Sequence, residues 1–444
     1  MGTRLSDHSA YAHLWGTDET RAMFDERGRL DRWLQILVVL AETQAELGII
    51  PAASAAAIAK AADVEDLDIV YVAEQTRLTS HSTLGLIRGV QRLLPADVAE
   101  HVYYGATVQD LTDTWFALTM RDVGDLLDRD LRHLLATLVA LAETHQQTIM
   151  PGRTHGQPGA PMSFGFKVAS WADELARHVD RLHDGRGRWA TAQLGSAIGT
   201  LGFYGAAGPA LRAGFARRLG LGDPDISWFT CRDRIAEFAS VLMLITGTLA
   251  RLGNEVMELQ RPELGELREA TNPATVGSIM MPHKRNPEAS EHLDTLARLT
   301  RANGGVLIEG TVQLHERDGR GWKAEWVALP EICLLATTSV RLAIGCVEGL
   351  EIDADRMRAN VEAHSGQLAS EQVLGVLAGR LGKHRAQARL QELLGDGGSM
   401  SVALDELGDA LTDDERAAVL AHDVAPGDTA AVRAVIARVW AMLA

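Results

Sequence analysis

The chain has 444 residues, with 59 acidic and 43 basic side chains, a formal net charge of −16 and a pI near 5.4. This length favours two or three packed units over one compact core. A nucleic-acid or acidic-membrane surface needs a basic stripe, so the acidic balance argues against both. Apolar residues make up 46% of the chain and aromatic residues 5%. The apolar set is mostly Leu, Ala, Val and Ile, which favours helices and predicts an all-α fold.

The N-terminus, MGTRLSDHSAYAHLWG, lacks the apolar segment of a signal peptide, and no uninterrupted apolar run reaches the roughly 20 residues that span a bilayer. We therefore expect a cytoplasmic protein. Cys231, Cys333 and Cys346 are widely spaced and lie in Leu- and Ala-rich contexts. This pattern predicts buried free thiols rather than a disulfide framework or a metal site.

Apolar residues spaced by three and four positions predict five long helices in the middle of the chain. The clearest stripe extends from Ile235 to Leu259, and Pro330 either kinks the last of the five helices or marks its start. The predicted helices occupy about 111–141, 164–182, 231–260, 288–312 and 324–348.

Shorter helical segments flank this bundle, so we predict an N-terminal helical domain (1–111), a central long-helix domain (112–350) and a C-terminal helical domain (351–444). The long helices also carry many Ala and Gly positions on their other faces. That composition favours association of whole subunits into a homo-oligomer.

Four polar segments interrupt the apolar pattern near the ends of the long helices. In GRTHGQP, His155 directly follows Thr154. Two interpretations are open: a histidine that transfers a proton, or an incidental histidine in a surface loop. In GSIMMPHKRNP, Lys284 and Asn286 precede a helix start at Pro287, which suits an anion site. The segments are TSHST (79–83), YYGATVQDLTDT (103–114), GRTHGQP (152–158) and GSIMMPHKRNP (277–287).

The other two polar segments have simpler interpretations. In YYGATVQDLTDT, Asp110 or Thr112 can serve as the N-cap of the following helix. His81 in TSHST lies among hydroxyls, as in a cap or a solvated turn.

The run GSIMMPHKRNP resembles the G-S-S-x-M-P-x-K-x-N-P signature of the fumarase/aspartase superfamily at seven of its eight fixed positions. YYGATVQDLTDT and GRTHGQP resemble the first and second conserved regions of that superfamily and occur in the same order. The resemblance implies an all-α homotetramer with a shared helical core, in which each active site combines segments of three subunits. It also implies elimination from a succinyl compound, which usually releases fumarate.

The resemblance implies roles for particular residues. Ser278 would be the general base that removes a proton next to a carboxylate, and the extra negative charge of the resulting aci-carboxylate must be stabilised. His155 would be the acid or a contact of the leaving group, and Glu291 would orient it. The implied substrate-binding residues are Lys284, Asn286, Thr107, Gln109, Thr154 and His81.

Departures from the family pattern narrow the substrate. Ile279 replaces the second serine of the signature, and Val108 replaces a serine that usually follows Thr107. In HERDGRGWKAEW (315–326), Trp322 stands in a segment that binds a nucleotide phosphate in adenylosuccinate lyases, and an indole cannot pair with a phosphate dianion. The substrate therefore differs from the common ones.

The run W-x-A-E-W-x-x-L-P-E (322–331) is most similar to the 3-carboxy-cis,cis-muconate cycloisomerase branch, although His155 and Glu291 suit an elimination. We predict a lyase of the carbon–nitrogen type, nitrosuccinate lyase-like or aspartase-like, that releases fumarate and an amine, nitrite or similar group from a small substituted succinate. The cycloisomerase is the main alternative, and adenylosuccinate cleavage and a non-catalytic scaffold are others. A di- or tricarboxylate substrate is expected, with no nucleic-acid or membrane partner and no metal or organic cofactor.

Overall fold

A computed structural model describes residues 5–270, 277–364, 366–395, 398–420 and 429–444. The chain divides into two compact units, and each unit draws on three separate stretches of sequence. Unit 1 comprises Met1–Asp130, His178–Gly247 and Thr295–Arg341; unit 2 comprises Leu131–Arg177, Thr248–Asp294 and Leu342–Ala444. The predicted domain boundaries at residues 111 and 350 stay a prediction.

Helices dominate the described residues, which confirms the all-α class. The helices before the bundle are α1 (Asp18–Phe24), α2 (Glu26–Glu46), α3 (Ala52–Ala61), α4 (Ile69–Thr79), α5 (Leu84–Gln91) and α6 (Ala96–Ala99). The middle helices are α7 (Val108–Thr144), α8 (Phe164–Trp189), α9 (Gly208–Leu219), α10 (Asp233–Leu259), α11 (Glu288–Glu309) and α12 (Gly319–Glu348). The last helices are α13 (Ala354–Glu362), α14 (Ser370–Leu381), α15 (Lys383–Leu394), α16 (Met400–Leu407), α17 (Asp413–Leu420) and α18 (Thr429–Leu443). Short 3₁₀ turns are Leu5–Asp7, Ala12–Leu14, Gly202–Ala207, Gln367–Ala369 and Gly408–Ala410.

The five predicted long helices are confirmed as α7, α8, α10, α11 and α12, and each supplies residues to both units. The apolar stripe of α10 from Ile235 to Leu259 is at most 1% exposed, because it faces the core at every three- or four-residue step. Helix α12 begins at Gly319, so Pro330 lies inside it and does not mark its start.

Among the described residues, two small antiparallel pairs of strands accompany the helices, both in unit 2. Strands β1 (Ile149–Thr154) and β2 (Gln157–Ser163) form a hairpin, with a register shift between Gly152 and Arg153. Strands β3 (Leu267–Arg268) and β4 (Glu351–Ile352) form a shorter pair. These strands are minor elements in a helical fold.

Helices α10 and α12 are long and apolar enough, by length and composition, to cross a membrane. In the structure, 61% and 67% of their most apolar windows are buried within the protein. Burial of this kind also characterises the central helices of a helical core.

The cysteines differ from the prediction at one position. Cys333 and Cys346 are buried, and burial raises the pKa of both thiols, that of Cys346 to about 12. Cys231 is exposed, so its predicted burial was wrong. It lies just before α10, outside the apolar stripe that the helix buries.

Candidate active site

The start of α7 is held by a buried carboxylate in unit 1. The helix begins at Val108, so Thr107 and not Asp110 is the residue that precedes it. Asp110 accepts hydrogen bonds from the backbone N–H groups of Thr107 (2.9 Å), Gly195 (2.7 Å) and Ser196 (3.1 Å). Burial raises the pKa of Asp110 to about 7. Asp110 therefore links the helix start to the turn at residues 195–196.

The Thr107 hydroxyl meets a cation at this helix start. Arg317 donates from Nη1 to Thr107 Oγ1 at 2.8 Å. The Arg317 guanidinium carbon lies 5.6 Å from the ring centre of Phe229 and 5.8 Å from that of Trp322. Because two rings contact it, the guanidinium is held beside the N-terminus of α7, where backbone N–H groups and a positive charge favour an anion. The role of Thr107 in binding a substrate carboxylate stays a prediction.

A fully buried ion triad supports this region from within. Arg232 pairs with both oxygens of Asp113, at 2.8 and 3.0 Å, and with both oxygens of Glu325, one of them at 2.9 Å. The three charged side chains have no solvent exposure. Burial raises the pKa of Glu325 to about 6. The indole N–H of Trp322 donates to Asp113 at 3.2 Å, so the triad also positions the ring that contacts Arg317.

Gln109 points into this interior. Its side chain is 1% exposed, and its amide nitrogen donates to Asp113 Oδ2 (3.1 Å) and to the Phe229 carbonyl oxygen (2.8 Å). Both contacts are internal to unit 1 and help to orient the Asp113 carboxylate. Its role as a direct donor to substrate stays a prediction.

His81 lies between α4 and α5, and its ring is exposed. Its Nδ1 accepts hydrogen bonds from the backbone N–H groups of Leu84 (3.2 Å) and Thr83 (3.4 Å) at the start of α5. An accepting Nδ1 places the proton of a neutral imidazole on Nε2. His81 therefore caps a helix and keeps an N–H donor on its other nitrogen.

His155 lies at the tip of the β1–β2 hairpin in unit 2. The turn consists of His155 (φ +53°) and Gly156 (φ +75°) between the paired residues Thr154 and Gln157. Two consecutive positive φ angles are characteristic of the tightest hairpin turns, and histidine is among the side chains that tolerate this conformation. Both Thr154 and His155 are exposed. The segment predicted as a loop is thus the turn of a hairpin, with His155 exposed.

A second ion pair secures this hairpin. Arg153 donates to both oxygens of Glu266, at 2.6 and 2.9 Å. Glu266 is fully buried and also accepts from the side-chain amide of Asn360 at 2.7 Å. The contacts fix β1 two residues before His155.

The segment 277–287 forms an exposed loop before α11. Ser278 Oγ accepts the backbone N–H of Met281 at 3.0 Å, and Asn286 Nδ2 donates to the Gly277 carbonyl oxygen at 2.7 Å. The second bond joins the two ends of the loop. Lys284 is exposed on the same loop. Ser278, Lys284 and Asn286 thus lie on one short loop, and their roles in the reaction stay predictions.

The start of α11 is anchored by residues outside the loop. Glu269 accepts backbone N–H bonds from Ala289 (3.1 Å) and Ser290 (2.8 Å) and a hydrogen bond from the Ser290 hydroxyl. Gln260 joins the Glu269 backbone (2.8 Å) to the carbonyl oxygen of Arg285 (3.3 Å). Glu291 lies exposed in the first turn of α11. Its pairing with His155 stays a prediction.

The predicted site residues thus fall into two groups. Unit 1 holds Thr107, Gln109 and His81, and unit 2 holds the others. Three supporting features were missed at the level of sequence: Arg317 on Thr107, the Arg232 triad and the Arg153–Glu266 pair. The sequence signals for them were HERD in 315–318 and Arg153 within GRTHGQP, but the paired residues are 93 to 210 positions apart in the chain.

Comparisons with known proteins agree with this architecture. A model of a lyase family, described as Lyase, matches residues 15–300. The N-acetyl-S-(2-succino)cysteine lyase of Dickeya dadantii is 38% identical over 392 residues, which cover 88% of this chain and 86% of that protein. The 3-carboxy-cis,cis-muconate cycloisomerase of Pseudomonas aeruginosa is 39% identical over 377 residues, 84% of this chain and 82% of that protein. The crystal structure of 3-carboxy-cis,cis-muconate lactonizing enzyme from Pseudomonas putida matches with a TM-score of 0.89 and 31% identity, covering 98% of this chain and 100% of that one.

The helical bundle and the match to the lyase family model place the chain in a family of lyases. The chain belongs to the fumarase/aspartase superfamily, as its signature segments predicted. Within that superfamily, its relatives include N-acetyl-S-(2-succino)cysteine lyases and 3-carboxy-cis,cis-muconate cycloisomerases.

Proposed function

We propose that the chain cleaves a carbon–sulfur bond, eliminating a thiol from an S-(2-succinyl) thioether to release fumarate. Support for a sulfur leaving group comes from the 38% identity, over most of both chains, to an N-acetyl-S-(2-succino)cysteine lyase. This proposal replaces the amine or nitrite that the sequence alone favoured. The substrate class is a small dicarboxylate that carries a thioether at the carbon next to one carboxylate.

The observation that carries the elimination is the geometry of the 277–287 loop. The Met281 N–H donates to Ser278 Oγ at 3.0 Å, and a hydrogen bond to the oxygen favours its deprotonated form. Lys284 adds a positive charge six residues along the same loop. The Asn286 bond to Gly277 holds these groups on one compact segment.

In the proposed reaction, the Ser278 alkoxide takes the proton from the succinyl carbon next to the distal carboxylate. The electron pair moves into that carboxylate as an aci-carboxylate, and Lys284 stabilises the added charge. The pair then returns to form the carbon–carbon double bond while the carbon–sulfur bond breaks and its electrons leave on sulfur. The products are fumarate and a thiolate, and Ser278 loses the captured proton to solvent.

The leaving group determines how much the reaction needs His155. A thiolate leaves readily because its conjugate acid has a pKa of about 8.5, whereas an amine must be protonated as it departs. We therefore assign His155 mainly to contact with the substrate when sulfur leaves. His155→Asn, which retains a residue that tolerates the left-handed turn, should lower thioether turnover less than Ser278→Ala does.

The test is a steady-state assay of fumarate absorbance with three substrates: an N-acylated S-(2-succino)cysteine, aspartate and 3-carboxy-cis,cis-muconate. We expect kcat/KM for the thioether to exceed that for aspartate by at least tenfold, a difference of about 1.4 kcal/mol in transition-state binding. Loss of carboxymuconate absorbance without fumarate release would instead support the cycloisomerase reaction. The cycloisomerase of Pseudomonas aeruginosa is 39% identical to this chain.

Ser278→Ala tests the base directly. Loss of a group that moves a proton in the transition state should lower kcat by about 10²–10⁴-fold or more. Ser401→Ala, on an exposed position of α16, is the matched control and should retain full turnover. Residual activity of Ser278→Ala above a tenth of wild type would contradict the assignment.

We further propose a homotetramer in which the loop of one subunit meets the Thr107 region of another. The long helices carry exposed apolar side chains in unit 1, including Leu244 (49%), Leu299 (39%) and Val306 (42%), which suits burial against other subunits. Mixing inactive Ser278→Ala chains with a fully inactive double variant at Thr107 and Arg317 should restore part of the activity on reassembly. A monomer in solution, or no recovery after mixing, would refute the shared site.

A further inference from the structure

A cavity of about 390 Å³ lies in unit 1 among α2, α4, α5, α7 and α12. Its walls are largely apolar and include the indoles of Trp33, Trp115 and Trp326, and its charged lining residues include Arg29 and Arg77. The volume falls in the range of sites that enclose a small organic molecule. Mostly apolar walls with a few cations suit an amphipathic anion.

The cavity connects to the Thr107 region through side chains of the same unit. Thr112, which lines the cavity, donates from its hydroxyl to the Val108 carbonyl oxygen at 3.1 Å in the first turn of α7. On another wall, the ring centre of Trp326 lies 4.8 Å from that of Trp322, which contacts Arg317. The cavity and the Thr107 region are therefore neighbours in unit 1 that share wall residues.

The cations of this cavity have one acidic neighbour among the described lining residues, Glu26, whose charge acts on Arg29. Among the described ion pairs, none includes Arg29 or Arg77, and the one carboxylate among the described lining residues is that of Glu26, which is exposed. Arg29 is half-buried with its guanidinium carbon 5.4 Å from the Trp33 ring centre, and burial lowers its pKa. Its Nε is buried with no hydrogen-bond partner in the described structure. A guanidinium held partly out of water gains most from an anionic ligand.

We propose that this cavity binds the leaving half of the substrate, an N-acylated amino acid with a thiol, and that Arg29 and Arg77 receive its carboxylate. The proposal rests on the proposed thioether elimination and extends it to the specificity of the same site. The acyl group lies against the indoles, where its methyl group is buried favourably and its amide, unlike an ammonium, carries no charge. A free ammonium at that position would face two guanidinium groups, so the site prefers the acylated compound.

The test compares two substrates in three enzymes. The substrates are N-acetyl-S-(2-succino)cysteine and its counterpart built on N-acetylcysteamine, which lacks the cysteine carboxylate. The enzymes are wild type, Arg29→Gln and the matched control Arg27→Gln. Arg27 lies on the same helix, is exposed and pairs with Glu65 outside the cavity.

Arg29→Gln should lower kcat/KM about 10- to 100-fold for the carboxylate-bearing substrate, mostly through KM, as expected for loss of one charge-assisted hydrogen bond. It should change kcat/KM for the carboxylate-free substrate less than threefold, and Arg29→Lys should recover part of the loss. Equal losses for both substrates, or no loss for either, would overturn the proposal. Unchanged thermal unfolding of the variant excludes a folding defect as the cause.

A binding measurement separates this inference from the reaction itself. Calorimetry with N-acetylcysteine as the probe should show binding to wild type and to Arg27→Gln, with at least tenfold weaker binding to Arg29→Gln. If no thioether is turned over but this pattern holds, the proposed function fails and the cavity assignment stands. If thioethers are turned over but Arg29→Gln binds the probe as wild type does, the cavity assignment fails and the proposed function stands.

Discussion

Glu325 offers a sensitive probe of the buried triad, because its carboxylate has no exposure and shares one guanidinium with Asp113. The triad contains two acids and one base, so it holds excess negative charge in the interior. Glu325→Gln keeps the size of the side chain and one oxygen that can accept from Arg232. It removes the ionisable group and one charge-assisted hydrogen bond.

The magnitude follows from the pKa of Glu325, which burial raises from an ordinary 4.5 to about 6. One pKa unit is worth about 1.36 kcal/mol, so ionised Glu325 costs the folded state about 2 kcal/mol. The pH dependence of stability has the sign expected for an acid whose pKa is higher in the folded chain than in the unfolded chain. Between pH 4.5 and about 6 the folded chain binds more protons than the unfolded chain, and stability falls as pH rises.

Glu325→Gln removes this dependence. The free energy of unfolding of the variant minus that of wild type should therefore increase by about 2 kcal/mol from about pH 4 to about pH 7. Urea unfolding of both proteins at a series of pH values measures the difference, in which titrating groups that do not interact with Glu325 cancel; Asp113, which shares Arg232 with Glu325, does not. A difference that stays constant or decreases with pH would refute the reasoning. Arg232→Met provides the contrast, since it leaves two buried carboxylates without a cation and should cost about 3–5 kcal/mol.

Two further predictions concern the anchoring contacts. Glu266→Gln should lower the free energy of unfolding in urea by about 3 kcal/mol, because it leaves Arg153 without its buried partner. The control Glu258→Gln breaks an exposed pair with Arg261 and should cost less than about 1 kcal/mol. Equal losses would contradict the anchoring role. Gly105→Ala should lower the free energy of unfolding by at least about 2 kcal/mol more than Gly48→Ala does. Both glycines have a positive φ, so the backbone strain is shared. Only at Gly105 does the new Cβ fall 2.2 Å from a ring carbon of Phe203. Similar shifts for both alanine variants would show that the local packing yields.

The helical bundle was predictable because its signal is local. Apolar residues at steps of three and four determine which face of α10 is buried, and that face runs without interruption from Ile235 to Leu259. The Ser278 loop was equally visible, since Gly, Pro and cationic residues follow one another within eleven positions. Both features depend on residues that are neighbours in the chain.

The supporting contacts of the site were not predictable in this way. Arg232 meets Asp113 across 119 residues and Glu325 across 93, and the two acids appear in the sequence as ordinary polar positions on apolar helices. GRTHGQP was expected to be a loop, but residues 149–154 pair with residues 157–163 and form a hairpin. Helical periodicity carries no information about backbone hydrogen bonds between strands, so the pairing was missed.

The cavity lined by Arg29 was also not predictable from the sequence. Its lining side chains come from five helices, and nothing in ETRAMFDERGRL (19–30) distinguishes Arg29 from Arg27, which is exposed and paired. The sequence was sufficient for the family, the long helices and the reactive loop, because these depend on short motifs and on the period of the α-helix. Which arginine faces a cavity, and which carboxylates share a buried cation, depended on packing, because folding selects contacts between side chains that are distant along the chain.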